Sequence, residues 1–211
     1  MKNMIKDAAV LFVITVFAGL ILGFVYQITK EPIAIAEEKA ANEAYAEVFP
    51  GAASFEKLEL AMPEENDDST WDLEYAAVDM DNALWALDDS GNVLGYVLTM
   101  TSHEGYGGDI TFTMGIQNDG TLNGISILSI SETAGLGMKA EAVLKPQFAN
   151  KKVSNFTYTK SGATMDSQID AISGATITTN AVTTAVNAGL YIFQTQLGGS
   201  AQGNRAVRLN V

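Results

Sequence analysis

The chain is 211 residues long and carries 25 acidic against 12 basic residues, a formal net charge of −13, with one histidine and no cysteine. That length holds one folded domain plus a membrane segment, and so acidic a chain argues against nucleic-acid binding and against adhesion to anionic lipid. Without cysteine there are no disulfides, thiolate nucleophiles, iron–sulfur ligands or Cys-based zinc sites, and His103 alone cannot build a multi-histidine metal site; redox chemistry would need an organic cofactor.

Residues 8–28 are apolar apart from small or weakly polar positions such as Thr15, Gly19, Gly23 and Gln27, and as a helix they are long enough to cross a hydrocarbon core. A cleaved signal peptide shares the basic start, but the apolar run exceeds the usual core of such peptides and no small-x-small site follows it, which favours a retained anchor. Lys2 and Lys6 precede the run, whereas Lys30 is followed by Glu31, Glu37 and Glu38. This asymmetry predicts a cytoplasmic segment 1–7, a single pass through a bacterial cell membrane and a soluble domain on the outer face. Gly19 and Gly23 form a Gly-x-x-x-Gly pair, read equally as a helix-packing notch or as two tolerated glycines.

Pro32 is expected to open a second helix rich in Ala and Glu, within a juxtamembrane segment 29–53 that stops near Pro50 and Gly51. The stretch 55–89 is acidic, and 63–68 reads as an exposed loop without the spaced ligands of a calcium loop. Residues 83–87 and 93–98 read as two strands around a turn, and 110–116 and 124–130 repeat that hairpin logic around Asn118, Asp119 and Gly120. Helix returns near 138–144 and after Thr179, where Thr178, Thr179 and Asn180 are candidate N-caps and Val182, Val186, Gly189, Leu190 and Phe193 mark the apolar face, with Thr, Asn and Gln on the other. The fold class is therefore α+β: an antiparallel sheet with flanking helices over 54–197, preceded by one N-terminal transmembrane helix and followed by a flexible tail, 198–211.

Two glycine-rich regions carry the chemistry. In 170–176, Asp170 and Ser173, Gly174, Ala175 and Thr176 present a threonine hydroxyl through small residues ahead of a helix, where free N–H groups suit a phosphate; the plain alternative is a capped helix start. Upstream lie Gly105, Tyr106, Gly107, Gly108 and Asp109, then 119–125, then Glu132, Thr133, Ala134, Gly135, Leu136 and Gly137. Each of these loops reads equally as a hairpin turn. His103, beside Glu104 and the first glycine loop, reads as a solvated loop residue. No Gly-x-Ser-x-Gly elbow supports a hydrolase.

Taken together, from about 94 to 193, these motifs resemble the FMN-binding domain family found in the G subunit of Rnf complexes and the C subunit of sodium-pumping NADH:quinone oxidoreductases. Where that family often has a His before the Glu-Thr pair and a Pro after it, this chain has Ile130 and Ala134. The resemblance implies covalent FMN, joined by a phosphoester to Thr176 by a flavin transferase that cleaves FAD, with Asp170 at the acidic position of the attachment pattern. It further implies that Ser173, Gly174, Ala175 and Thr179 shape the attachment turn. Tyr106, Gly107, Gly108, Glu132, Thr133, Gly135, Leu136 and Gly137 would lie along the flavin, and Lys139 would offset phosphate charge. The chain would be a redox subunit, not catalytic alone, among other membrane and redox subunits passing electrons from ferredoxin to NAD with ion export. A quinone-reductase C-type subunit, a free-standing extracytoplasmic flavoprotein and, from another class, an anchored sensory domain without cofactor are the alternatives.

Overall fold

The computed structural model describes residues 2–60, 71 and 74–198, in two compact units, Met1–Asn42 and Glu43–Val211. The acidic loop expected at 63–68 and nearly all of the expected tail lie outside the described residues.

The first unit belongs to helix α1, Lys2–Val48, whose apolar side chains are exposed, Leu11, Phe12, Phe17 and Phe24 among them. Over Met4–Val48 it is long and apolar enough to cross a membrane, with a mean hydropathy of 2.8 in its most apolar stretch. Thr15 and Thr29 satisfy their hydroxyls on the carbonyls of Leu11 and Val25 one turn back. The expected break at Pro32 does not occur: α1 continues through it. Proline removes one N–H and crowds one carbonyl, but Ala, Glu and Lys dominate the following turns and carry the helix on.

In the second unit, β1 (Ser54–Lys57), β2 (Val78–Leu87), β3 (Val93–Ser102), β4 (Ile110–Gln117) and β5 (Leu122–Ile130) form one antiparallel sheet in chain order. The turns explain the meander. Asp88 accepts from the N–H groups of Ser90 and Asn92 at 2.8 Å each and from the Asn92 side chain at 2.9 Å; the Asn92 side chain first, then these N–H groups, hold its carboxyl below the usual range, while Gly91 takes φ +78°. In the next hairpin Gly120 takes φ +87°, while Asp119, held down to about 2 first by Lys152 and then by the Thr121 N–H, ties the turn to a later loop. Strand β1 and the parallel pair β6 (Thr157–Thr159) and β7 (Gln168–Asp170) were not expected; three- and four-residue strands carry too little pattern to read.

Alternate residues of β3 feed two cores. Tyr96, Leu98 and Met100 join Phe112, Met114 and Ile116 beneath helix α3 (Thr176–Ile192), which follows the single-turn α2 (Ala140–Val143) and buries Val182, Val186, Gly189 and Leu190 against them. The helix is less amphipathic than its sequence suggests. Thr178, Thr179 and Thr183 are buried too: Thr179 and Thr183 return their hydroxyls to the carbonyls four residues back, and Asn187 bonds both the N–H and the carbonyl of Phe156. On the sheet's other face, Val97, Leu84 and Ala86 pack with Val48 and Phe49 at the end of α1. There Glu47 meets Lys145 at 2.7 Å and accepts the Ser126 hydroxyl, and Asn123 donates to the Val48 carbonyl at 3.0 Å.

Gly115 of β4 lies directly under that helix end, where a Cβ would come within 2.5 Å of the Val48 carbonyl oxygen. Gly115→Ala should therefore destabilise the full chain by about 1–3 kcal/mol through overpacking. Urea unfolding in detergent, followed by tryptophan fluorescence, checks this, and an unchanged midpoint would contradict the packing described.

Candidate functional site

Three segments, consecutive along the chain but separated by strands and helix, converge on one cleft of about 470 Å³, a volume within the range of small-ligand sites. The loop between β3 and β4 contributes Tyr106; the segment after β5 contributes Glu132, Thr133, Leu136 and Gly137; the start of α3 contributes Gly174, Ala175, Thr176, Ile177 and Thr178.

The start of α3 is set by its own turn. Ala175 donates its N–H to the Ile172 carbonyl at 3.0 Å; the Thr179 hydroxyl accepts from the Ile172 N–H at 3.1 Å and donates to the Ala175 carbonyl at 2.9 Å. Ala175 is the helix N-cap and provides no side-chain cap. The expected capping role of Thr178, Thr179 or Asn180 is thus corrected: the helix begins at Thr176, and Thr179 braces the turn from inside. Gly174 takes φ +77°, which a side chain would resist. Gln147 clamps the strand leading in, accepting the Asp170 N–H at 2.6 Å and donating to the Asp170 carbonyl at 3.1 Å.

Thr176, Ile177 and Thr178 are consequently the first three helical residues, and their N–H groups have no intrahelical acceptor. Thr178 is 1% exposed, yet among the described residues its hydroxyl has no partner and it lines the cleft. The Thr176 hydroxyl, half-buried at the cleft, likewise bonds to none of the described groups. Free donors and the positive end of the helix dipole meet there.

Glu132 joins the segments: its Oε1 accepts from the N–H of Tyr106 at 2.7 Å and of Gly107 at 3.4 Å. Gly137 is required by proximity, since a Cβ there would come 2.6 Å from the Thr178 hydroxyl oxygen and 2.7 Å from Glu132. The Thr133 carbonyl accepts from Leu136 and Met138, closing the turn that carries Leu136 to the rim. Tyr106, Leu136 and Ile177 are 70%, 41% and 53% exposed, an apolar border around a polar floor.

Of the residues expected in the site, Tyr106, Glu132, Thr133, Leu136, Gly137, Gly174, Ala175 and Thr176 line the cleft. Ser173, Gly107, Gly108, Gly135 and Lys139 stand on the same loops without lining it; Thr179 is buried behind it; Asp170 accepts the Ala163 N–H at 2.6 Å and closes a different turn. Ile177 and Thr178 were missed, because placing the helix start three to five residues too late hid its first turn. His103 is not merely solvated: its two ring nitrogens lie 2.9 Å from Asp109 and 3.0 Å from Asp79.

The FMN-binding domain model matches residues 105–191, which includes every segment of the cleft, and the RnfG N-terminal region model matches 1–48, the span of α1. The G subunit of the Na(+)-translocating ferredoxin:NAD(+) oxidoreductase complex of Acetobacterium woodii is 32% identical over 202 residues, 92% of this chain and 93% of that protein. This chain belongs to the RnfG family. The G subunit of the ion-translocating oxidoreductase complex of Methanosarcina acetivorans is 31% identical over 199 residues, covering 93% of this chain and 98% of that one. Among solved structures, Shewanella oneidensis NqrC aligns at a TM-score of 0.48 and 17% identity, over 74% of this chain and 87% of that chain.

Glu132→Ala leaves two N–H groups without their acceptor, whereas Glu132→Gln keeps a carbonyl oxygen in place of Oε1. Amide exchange at 106 and 107 should speed up in the alanine variant by an amount equivalent to about 1–3 kcal/mol and stay near wild type in the glutamine variant. Equal exchange in all three proteins would show that Glu132 does not hold the loop.

Proposed function

We propose that this chain is the membrane-anchored FMN carrier of an ion-translocating ferredoxin:NAD oxidoreductase complex, holding FMN through a phosphoester to Thr176. The observation that carries this reading is the Thr176 hydroxyl: first residue of α3, open to the cleft, bonded to no described group, and beside three N–H groups without intrahelical acceptors.

The residues present fit the group. Thr176, Ile177 and Thr178 would receive a phosphate with their N–H groups, Gly137 keeps the floor clear of a side chain, and Tyr106, Leu136 and Ile177 offer apolar edges for a flat ring. In the proposed attachment the Thr176 oxygen would bond to the FMN phosphorus of FAD as the pyrophosphate linkage breaks, with AMP leaving and the hydroxyl proton passing to the transferase or to solvent. Bound FMN supplies the electron-transfer chemistry, and the chain supplies position, electrostatics and access. Ser173, Gly174 and Ala175 shape the turn that a flavin transferase must reach, and Asp170 stiffens the approach by closing the turn at Ala163.

The relatives are named as G subunits of ferredoxin:NAD or ion-translocating complexes, which supports other membrane and redox subunits as partners and export of sodium or protons as the coupled work. The span 8–28 would anchor the chain, with 1–7 in the cytoplasm by the lysine bias, 29–53 leading out and the FMN domain, 54–197, on the outer face of the membrane.

Co-expression with a flavin transferase should add the mass of one FMN less water to the intact chain and give in-gel flavin fluorescence. Thr176→Ala should abolish both, and Thr176→Ser should retain the adduct. A native chain left unmodified by a transferase that is active on a control substrate would overturn the carrier reading.

A further inference from the structure

The β3–β4 hairpin loop, 103–109, carries Tyr106 to the cleft, and its tip hangs from Glu132. Its base is held differently. His103 follows β3, donates its N–H to the Ala77 carbonyl at 2.9 Å, and places its ring between Asp79 of β2 and Asp109, the residue before β4. Nδ1 lies 2.9 Å from Asp109 Oδ1 and Nε2 lies 3.0 Å from Asp79 Oδ2. An ionised carboxylate only accepts, and a neutral imidazole carries one N–H, so both contacts are hydrogen bonds only when the ring holds two protons.

We propose that His103 is a positioning residue: as an imidazolium it bridges Asp79 and Asp109, closes the base of the loop and thereby holds Tyr106 at the cleft, a hold released when the ring loses a proton. The functional meaning rests on the FMN-carrier reading; the bridge itself does not. Loss of either proton turns one bond into a lone pair facing a carboxylate, repulsive at the same distance. The bond to Asp79, then the bond to Asp109, raise the affinity of the ring for its proton above the ordinary value.

The neighbouring charged groups agree in sign. Asp79 and Asp109 meet the ring, Glu104 follows it in the chain, and Asp81, farther along β2, accepts the Thr101 hydroxyl at 2.6 Å. All are acidic. Among the described residues no group of three or more His, Asp or Glu is arranged to hold a metal ion. Because the folded state raises the pKa, the bridge contributes fully below the unfolded value of about 6.5 and is lost as pH rises through the folded value. The loop should therefore be closed on the acidic side of that midpoint and open on the alkaline side.

The only histidine of the chain gives an unambiguous signal. Tag-free full-length protein in detergent, labelled at histidine, is titrated by NMR, while amide exchange over 103–109, corrected for intrinsic rates, is followed across the same pH range. The expected result is a midpoint above 6.5 that falls in Asp79→Asn and again in Asp109→Asn, with loop exchange rising by at most about tenfold per pH unit between about 6.5 and that midpoint and levelling off above it. In His103→Gln, exchange should be fast throughout and free of any pH step. A midpoint at or below 6.5 that ignores both substitutions, or exchange without a step in the native chain, overturns the proposal. Neither readout needs flavin, and the adduct mass of the same samples reports the carrier reading separately.

Discussion

The site depends on one hydroxyl that never reaches it. Thr179 accepts the Ile172 N–H and donates to the Ala175 carbonyl, so the chain cannot enter α3 a residue early or late without losing two buried hydrogen bonds. That brace makes Thr176 the first helical residue. A slip of one position would rotate it by about 100° around the helix and carry its hydroxyl away from Tyr106 and Leu136. The Thr176 hydroxyl is thereby free of partners among the described residues while its backbone is fixed by the turn. The division of labour is between two threonines three residues apart, one spending its bonding capacity on the turn and the other keeping it open.

The sheet supplies the frame against which this turn is fixed. Strands β3, β4 and β5 run antiparallel in immediate succession, so the loop after β3 and the segment after β5 emerge at the same end of the sheet, and Glu132 spans them. The opposite face of the sheet is closed by the end of α1, whose Glu47 and Val48 are bonded to Ser126, Lys145 and Asn123. The helix therefore ends as part of the domain core rather than in a loose linker, and its last turn is fixed by the same strands that carry the cleft.

Much of this could be read in the sequence because the signals are local. The hairpins announce themselves through Asp88, Gly91, Asp119 and Gly120, and the small residues before Thr176 mark a tight approach to a helix. What escaped reading depends on contacts distant in the chain. The start of α3 is decided by Thr179 reaching back to Ile172, whereas N-cap preference alone pointed to Thr178, Thr179 or Asn180. The partners of His103 lie 24 residues before it and 6 after it, and nothing in the segment 103–109 itself reveals that Asp79 will be opposite. The continuation of α1 through Pro32 goes against a local rule that holds for most soluble helices, because the turns around it favour helix strongly enough to absorb one missing bond.

The composition bears on the proposed attachment through electrostatics. A chain with 25 acidic and 12 basic residues offers a phosphate little long-range attraction, and Lys139 does not line the cleft. The cleft's donors include the Thr178 hydroxyl and the N–H groups of 176–178 at the helix start, and such a terminus contributes about 0.3–1 kcal/mol toward an anion near the surface, up to about 2 in a partly buried geometry. Submicromolar retention by equilibrium binding needs more than about 8 kcal/mol. The apolar border formed by Tyr106, Leu136 and Ile177 is exposed. The proposed phosphoester on Thr176 would remove that requirement: retention would come from a covalent bond, the N–H groups would need only to orient the phosphate, and the open border would leave the ring accessible to electron donors and acceptors. The openness of the cleft and the acidity of the chain are thus compatible with the proposed attachment.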